Sequence, residues 1–483
     1  MQHFIRKIRF LLIGIFFLEM VTPIPIWAVS PIWATEPLSE LIQEGLANNR
    51  SLQSLSSEIA SLKEEVGFAG SLDDPRLGIG LLNLPTDSFR FDQEPMTQKQ
   101  LFIAQKIPWF GKLGLRSQGA ILKAKRKEAI LVARQLELSR KIALNYYELG
   151  FVASNQKINE RLMDTLEQLL RVSETKYATG QGLQQDVLQA QVELSKLLDE
   201  EIVLAKNRRT LEDQLNGLLN RDAYTPINPP ENLSYPGIVL KFQDLKEQTL
   251  KQNPWLQVRQ IEIDQTKTEI GLAKKDYWPD MDFKVAYGQR DESQSGQDWA
   301  DFVSASVVMN LPLWKKNRQD KKLASRKERH QSAMKSYQNL VQSLPHQVDA
   351  LVNEIENLQK NYKLYADALL IQAEQWAHSS LAAYGVGKLE FNTMISAQIR
   401  LLRFEIKANK YLFNIYQKRA ELEEILGEPI AVQTARGDTS DLENERTTLK
   451  NDQEFIPNFP NRVNEMRRED DGENSLFQKE NIS

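Results

Sequence analysis

The chain has 483 residues, a net charge of −4 from 61 basic and 65 acidic side chains, and no cysteine. This charge balance gives no overall bias toward nucleic acid, and the lack of thiols excludes disulfides, thiolate zinc sites and cysteine nucleophiles. Four histidines occur, at positions 3, 330, 346 and 378. Since no two of them have the spacing of metal ligands, the sequence predicts a protein that is not an enzyme and that holds no metal or cofactor.

An export signal is predicted over residues 1–34. Basic residues within 6–9 precede an apolar stretch over 10–18, as in a secretory signal. We expect cleavage after Ala34, with Ala28 as the alternative. An uncleaved membrane anchor is the competing interpretation, but the apolar run is shorter than the ~20 residues of a spanning helix.

The rest of the chain repeats itself. Residues that recur at an offset of 204 include Leu41, Leu46, Asn49 and Leu52, which return as Leu245, Leu250, Asn253 and Leu256. Around the later motif Tyr177-Ala178-Thr179-Gly180 the offset is 207, so inserted residues are expected within the long helix that precedes it. The predicted domains are repeat 1 over 35–220, a proline-marked linker over 221–240, repeat 2 over 241–428 and a disordered polar tail over 429–483.

Each repeat is predicted to begin with one amphipathic helix, over 37–69 and over 241–275. A pair of strands follows, bracketed by prolines 33 residues apart, which are Pro75 and Pro108 in repeat 1 and Pro279 and Pro312 in repeat 2. Apolar residues alternate with polar or small ones there, most clearly at Met281, Phe283, Val285 and Tyr287 and again at Val303, Ala305, Val307 and Met309. The spacing predicts two strands of about ten residues joined by a loop of roughly 12–15.

Strands of this length with one apolar face are long enough to cross a bilayer when tilted. A soluble sheet with one face on a core is the alternative, which is disfavoured because an isolated hairpin is marginal in water. Aromatic side chains at the strand ends fit a membrane-interface girdle, with core packing as their other interpretation: Trp109, Phe110, Trp278 and Trp314. Because four strands cannot close a barrel and open edges are costly in hydrocarbon, we expect either a dimer or a trimer to complete one.

Long helices are predicted after each strand pair, over 113–177 and 315–383, and Pro345 is expected to break or kink the second. The returning helices carry apolar residues at the 3–4 spacing of a coiled coil, interrupted by Glu201, Arg208 and Lys418. The fold class is therefore mainly α with a membrane β-barrel part, built from a tandem repeat of one strand pair and one long antiparallel helical hairpin.

Four short motifs resemble a known family. The strand exits read Gln105-Lys106-Ile107-Pro108-Trp109-Phe110-Gly111-Lys112-Leu113 and Met309-Asn310-Leu311-Pro312-Leu313-Trp314-Lys315-Lys316, and the helical tips read Tyr177-Ala178-Thr179-Gly180 and Tyr384-Gly385-Val386-Gly387. In this order and in both repeats, over 36–428, they resemble the TolC-type outer-membrane efflux channels. The Ile-Pro-Trp-Phe-Gly-Lys form looks most like the heavy-metal branch, the CusC/CzcC-like proteins. Many relatives of that branch carry a lipid-modified N-terminal cysteine, which this chain lacks.

The resemblance implies a homotrimer whose chains share one twelve-stranded barrel and extend their helices into a periplasmic tunnel. It also implies a periplasmic adaptor protein and an inner-membrane pump as partners, contact with outer-membrane lipid, and a location in the outer membrane of a Gram-negative-type cell. No nucleic-acid partner is expected. The adaptor is expected to dock at the tips: Tyr177, Gly180, Gly182, Tyr384, Gly385 and Gly387.

A gate is expected at the same tips. Asp186 lies six residues beyond Gly180, and family channels carry aspartates near this place, so three copies would form a carboxylate ring that attracts cations. A solvated aspartate favoured by the helix dipole is the alternative, and repeat 2 has Thr393 at the equivalent position. Gly180 and Gly387 are expected to supply positive φ to their turns.

The predicted function is a passive exit duct of a tripartite efflux system, for metal ions or small toxic compounds. Two alternatives stay open: a duct of the same fold for protein or peptide secretion, and a soluble periplasmic coiled-coil adaptor or scaffold. Basic runs follow both strand exits, over 123–127 and over 315–329, and they indicate a solvated helix face rather than a nucleic-acid patch.

Overall fold

A computed structural model of the protein describes residues 36–230 and 233–428. The predicted export signal over 1–34 and the predicted tail over 429–483 lie outside the described residues. The same order of elements runs twice along the chain. The first run contains α1 (Glu36–Asn48), α2 (Arg50–Gly70), β1 (Arg76–Leu82), β2 (Gln98–Ile107), α3 (Lys112–Ala178) and α4 (Gln184–Leu219). The second contains α5 (Phe242–Gln252), α6 (Pro254–Lys275), β3 (Met281–Gln289), β4 (Phe302–Met309), a 3₁₀ turn (Lys315–Asn317), α7 (Gln319–Leu364), a π-helical turn (Tyr365–Leu369), α8 (Leu370–Gly385) and α9 (Phe391–Leu426).

Each opening segment is two helices, so the prediction of one continuous helix per repeat is wrong. The break falls on an asparagine in both repeats, because a short polar side chain can bond the free N–H groups at a helix start. Asn49 Oδ1 accepts from the N–H groups of Ser51 and Leu52 at 3.0 and 3.1 Å. Asn253 Oδ1 accepts from the N–H of Leu256 at 3.1 Å, and the proline that follows Asn253 starts α6 where no N–H is needed.

The four strands form one antiparallel sheet in the order β1-β2-β3-β4. The register places Leu77 opposite Ile103, Ile103 opposite Val285 and Val285 opposite Ala305, so the odd-numbered residues of all four strands share one face. That face is apolar and exposed, with large side chains at Leu77, Ile79, Leu101, Ile103, Val285, Tyr287, Val303 and Val307. The strands are seven to ten residues long, and the loops over 83–97 and 290–301 have the predicted lengths.

The even-numbered residues form the opposite face of the sheet, which is mostly small or polar, with Leu82, Phe102, Phe302 and Val308 as its large apolar side chains. A Cβ added to Gly78 would meet the ring of Phe102 at 2.4 Å, so the ring lies directly on the glycine. Lys284 Nζ lies 3.9 Å from the centre of the same ring. Arg76 forms an ion pair with Asp282 across the sheet. The two faces therefore differ in character: one suits hydrocarbon and the other suits water.

The long helical segments of the two repeats are equal in length. This equality shows where the extra residues of repeat 2 lie. Residues 112–178 and 319–385 begin 207 residues apart and end 207 residues apart, whereas Pro108 and Pro312 are 204 apart. The three extra residues therefore precede the long helix, at the 3₁₀ turn Lys315–Asn317. These residues lie within the range predicted as helix, 315–383, but the predicted start is wrong because α7 begins only at Gln319.

Pro345 does not break the second long helix. It lies inside α7, which continues to Leu364, because the buried neighbours Leu344 and Val348 anchor this turn in the core and a proline removes only one helical hydrogen bond. The regular helix is interrupted instead at the π-helical turn Tyr365–Leu369. There the ring of Tyr365 contacts the rings of Phe404 and Tyr411 edge-on.

The largest core cluster joins α1, α3, α4 and α9, through side chains that include Leu38, Ile142, Tyr147, Leu215 and Phe413. The segment after α4 packs on this cluster. A Cβ at Gly150 would meet Pro230 Cγ at 2.4 Å and Phe413 Cε1 at 2.7 Å, so the glycine lets both approach α3. Within the described ranges, no helix carries an apolar stretch that could span a bilayer.

A polar network lies where α3 packs on α4. Gln156 Nε2 donates to one carboxylate oxygen of Glu201 at 2.9 Å, and Asn159 Nδ2 donates to the other at 3.1 Å. Arg208, a second residue that interrupts the apolar spacing, pairs with Glu212 on its own helix at 3.0 Å. Two of the three interruptions of the apolar spacing, Glu201 and Arg208, are therefore hydrogen-bonded positions on α4.

Candidate functional site

The helical tips are two turns of the same geometry. The N–H of Gln181 donates to the carbonyl of Lys176 at 2.8 Å, and the N–H of Lys388 donates to the carbonyl of Ala383 at 2.9 Å. Bonds of this span close a helix through a residue with positive φ. Gly180 and Gly387 have φ of 70° and 73°, as the turn interpretation requires.

The remaining glycines of the tips differ in their surroundings. A Cβ at Gly182 would lie 2.9 Å from Lys176 Cβ, so the chain at this point approaches the end of α3 closely. Gly385 has open space around it. Only the first tip therefore needs a second residue without a side chain.

The two tips contact each other through Lys176 and Tyr384. Lys176 Nζ donates to the Tyr384 carbonyl at 2.9 Å and lies 3.9 Å from the centre of the Tyr384 ring. The hydroxyl groups of Ser173 and Tyr384 are 3.4 Å apart, and Phe391 meets the same ring edge-on at 5.5 Å. Tyr384 is only 6% exposed, whereas Tyr177, its equivalent in repeat 1, is 49% exposed. Equivalent tyrosines thus have different roles in packing.

Sequence reasoning missed Lys176 and Ser173. Ser173 recurs as Ser380 at the offset of 207, whereas Lys176 corresponds to Ala383, and the repeat relates equivalent positions without saying which of them touch. Lys176 immediately precedes Tyr177 in the last turn of α3, where a cation is favourable. For Lys176 that position was the only signal in the sequence, whereas Ser173 was signalled by its recurrence as Ser380.

Asp186 and Thr393 are the third residues of α4 and α9. Asp186 is half-buried and Thr393 is exposed. Close by, Gln189 Nε2 donates to Asn392 Oδ1 at 2.9 Å, so the N-terminal ends of α4 and α9 lie side by side. The carboxylate ring stays a prediction, because it requires three copies.

The strand exits lie close to the predicted prolines. Pro75 directly precedes β1, and Pro108 directly follows β2. Pro279 lies two residues before β3, and Pro312 lies three residues after β4. The prolines therefore lie next to the strand ends without entering the hydrogen-bonded ladder.

Three of the four predicted girdle aromatics come together. The rings of Trp109 and Trp278 stack with centres 4.9 Å apart and planes 9° apart. Phe110 contacts Trp109 edge-on at 5.7 Å. Trp314 is exposed at the exit of β4. Placement of these rings at a membrane interface stays a prediction.

A buried ion pair holds the first exit. Lys112 Nζ lies 2.8 Å from Asp280 Oδ1, and the Lys112 side chain is only 6% exposed. The same carboxylate accepts the backbone N–H of Trp109 at 2.9 Å. Asp280 precedes β3, so this pair ties the end of one strand pair to the start of the next.

The comparisons with known proteins agree with this architecture. The family model for outer membrane efflux proteins matches residues 41–221 and 245–428. The outer membrane protein VceC of Vibrio cholerae is similar with a TM-score of 0.68 at 19% identity, over 82% of this chain and 97% of that chain. CusC has a TM-score of 0.70 at 15% identity, over 82% and 94%. The CmeC outer membrane channel of Campylobacter jejuni has a TM-score of 0.68 at 14% identity, over 85% and 89%.

At these identities the solved structures show the fold alone. No curated protein matches this chain in sequence. The predicted resemblance to TolC-type channels is confirmed at the level of the family, and the predicted fold class is confirmed as mainly α with a small antiparallel sheet. CusC and VceC fit about equally well, so the heavy-metal branch stays a prediction. Because the family model covers most of both repeats, the chain belongs to the outer membrane efflux protein family.

Proposed function

We propose that three copies of the chain close their sheets into one twelve-stranded barrel in the outer membrane. The observation that carries this proposal is the sheet itself. Its apolar face is exposed, and within the described residues β1 and β4 each pair on one side only. An unpaired edge in hydrocarbon costs several kcal/mol per backbone group. Neighbouring copies remove that cost by pairing β1 of one with β4 of the next.

The helices support the same assembly. Large apolar side chains stay exposed on α4 and α8 of the single chain, among them Leu188, Val192, Ile202, Ile371, Trp376 and Leu381. Soluble monomers rarely expose so much apolar surface. We infer that helices of adjacent copies cover these side chains. Repeat 1 (35–220) and repeat 2 (241–428), joined by the linker 221–240, then each contribute one strand pair and one helical hairpin.

The resulting assembly is a passive exit duct with a long periplasmic extension. The polar face of the sheet lines the barrel, and the tips form its periplasmic end. A periplasmic adaptor protein docks at the tips, and an inner-membrane pump supplies the energy. We infer that the cargo is metal ions or small toxic compounds. The efflux family favours such cargo over secreted proteins, and the channel architecture favours a duct over a soluble adaptor.

The gate of this duct lies at the tips in our proposal. Three Asp186 side chains form a carboxylate ring at the periplasmic end, and Thr393 leaves the equivalent positions of repeat 2 uncharged. The support is positional: both residues lie in the first turns of α4 and α9, next to the Gln189 to Asn392 contact.

The assembly can be tested by fractionating the cells and running the fractions on gels without heating the samples first. We expect a heat-modifiable oligomer in the outer membrane. A soluble periplasmic monomer would refute the proposal. Deletion of the gene is expected to increase sensitivity to metal ions or small toxic compounds. If sensitivity is unchanged and an exported protein is retained instead, the secretion duct replaces the efflux duct.

A further inference from the structure

The second strand exit passes directly from apolar to cationic residues. Leu311, Leu313 and Trp314 are 63%, 72% and 75% exposed. Lys315 and Lys316 follow at once in the 3₁₀ turn, and both are exposed. Apolar and aromatic side chains followed by cations are typical of a chain leaving a bilayer at its headgroup level.

The basic run after this exit divides into two parts. Farther from the sheet its cations are paired with α6: Arg326 and Arg329 with Glu269 at 2.9 and 3.5 Å, and Lys322 with Asp276 at 2.7 Å. Nearer the sheet, no carboxylate of the described ranges lies within 4.0 Å of the charged nitrogens of Lys315, Lys316, Arg318 or Lys321. Farther along the run, Lys327 likewise has no carboxylate partner among the described residues, so most of the unpaired positive charge of the run, but not all of it, lies beside the strands.

The first strand exit lacks this arrangement. Its cation, Lys112, is buried and bonded to Asp280. The three residues that repeat 2 has in addition lie between Pro312 and the start of α7, in the stretch that contains the 3₁₀ turn Lys315–Asn317. Two of the four unpaired cations beside the strands, Lys315 and Lys316, therefore lie in a turn that the first strand exit does not have.

A cleft beside the turn has room for a small polar group. It has a volume of about 260 Å³ and is lined by Arg318, Lys322 and Trp278, among others. The two carboxylates in its wall, Asp276 and Asp280, are each paired with a lysine. An anion that enters the cleft consequently meets no uncompensated negative charge.

We propose that Lys315, Lys316 and Arg318 bind the phosphate of an anionic phospholipid in the periplasmic leaflet of the outer membrane. Leu311 and Trp314 lie at the boundary between its headgroup and acyl chains. The inference rests on the proposed function, which places this exit at that leaflet. Charge-assisted bonds from lysine and arginine to phosphate provide the affinity, and the apolar neighbours select a lipid over a free anion.

Binding of phosphatidylglycerol to the purified full-length oligomer tests the site. Native mass spectrometry in detergent gives the number of lipids retained, with phosphatidylcholine as the neutral comparison. We expect the double variant Lys315→Gln/Lys316→Gln to lower the association constant for phosphatidylglycerol on the order of ten-fold. The matched control is Lys335→Gln/Lys360→Gln, two exposed lysines of α7 at least about 24 Å farther along the helix, which should leave binding unchanged.

Each outcome of this experiment either supports or contradicts a stated proposal. The proposed site is supported if the double variant loses binding of phosphatidylglycerol and the control variant does not. Binding to the wild-type oligomer should also weaken near 1 M salt, because charges are screened there within about 3 Å. The proposed site is overturned if the double variant and the control variant bind phosphatidylglycerol equally well. It is also overturned if the wild-type oligomer retains phosphatidylcholine as well as it retains phosphatidylglycerol. Displacement by the same concentration of inorganic phosphate would show a free-anion site and also overturn it. Failure to form any heat-modifiable oligomer would instead contradict the proposed function.

Discussion

Lys176 Nζ lies 2.9 Å from the carbonyl oxygen of Tyr384 and 3.9 Å from the centre of its ring, so one side chain joins two turns that are 208 residues apart in the chain. The carbonyl belongs to the last turn of α8, where a cation is favourable. Opening of one tip away from the other would break both contacts. The two tips of a chain are therefore held together as one unit.

Replacement of Lys176 should loosen the tips. Lys176→Met removes a charge-assisted hydrogen bond and a cation–π contact, together about 2 kcal/mol or more. We expect more frequent openings in single-channel recordings from planar bilayers. Lys196→Met is the control, because Lys196 is exposed and, among the residues that the structure describes, pairs only with Glu193 on its own helix. Identical open probabilities for Lys176→Met and wild type would contradict the interpretation that Lys176 holds the two tips together.

Neutralising the proposed carboxylate ring should change ion preference. Asp186→Asn removes three charges from the periplasmic end of a trimer, and we expect the ratio of cation to anion permeability to fall severalfold. Reversal potentials in a salt gradient measure this ratio. Asp199→Asn, an exposed aspartate of the same helix, should leave the ratio unchanged. If both variants act alike, Asp186 is a solvated surface residue.

Edge pairing between copies can be tested with introduced thiols, since the natural chain has no cysteine. Strands β1 and β4 lie at opposite edges of the sheet, about 14 Å apart, which is too far for an intrachain disulfide. Ile79→Cys combined with Ala305→Cys, treated with a short thiol cross-linker, should give covalent dimers and trimers on denaturing gels. Each single variant should stay monomeric under the same treatment. Monomers alone from the double variant would argue against pairing of β1 with β4.

Gly150 should tolerate no side chain. Gly150→Ala places a Cβ 2.4 Å from Pro230 Cγ and 2.7 Å from Phe413 Cε1, and we expect a loss of about 1–3 kcal/mol from overpacking. Gly114→Ala in the same helix meets nothing within 4 Å and should be neutral or stabilise by up to about 1 kcal/mol. The melting temperature of the oligomer compares the two variants. Equal melting temperatures would show that the segment at Pro230 can move aside.

Glu137 should contribute stability that depends on pH. A hydrogen bond from Lys141, with help from Arg134, outweighs burial and holds the pKa of Glu137 below its ordinary value. A lowered carboxyl pKa stabilises the fold above the unfolded pKa of about 4.3 and loses this effect as pH falls through the folded value. Glu137→Gln should therefore cost about 0.5 kcal/mol near neutral pH and nothing in strong acid. Melting curves of the wild type and of Glu137→Gln across pH measure this effect. A difference in stability between the two proteins that stays constant across pH would contradict the interpretation.

Local patterns in the sequence predicted local structure well. Alternation at Met281, Phe283 and Val285 predicted a strand with one apolar face, because side chains in a strand point to alternate sides. Positive φ at Gly180 and Gly387 followed from the turn motifs, because glycine alone adopts it without strain. The same approach failed at Asn49 and Asn253, where a cap outweighed a continuous apolar pattern.

The sequence by itself determined that the chain consists of two equivalent halves, each with a strand pair and a long helical hairpin, since these features repeat at a nearly constant offset and depend on short-range periodicity. Only the tertiary structure decided that Lys176 contacts Tyr384 and that Gly150 lets Pro230 pack against α3. It also decided that the extra residues of repeat 2 precede α7, at the turn Lys315–Asn317. Contacts between distant positions depend on how whole helices pack against one another. No local pattern of residues encodes that arrangement.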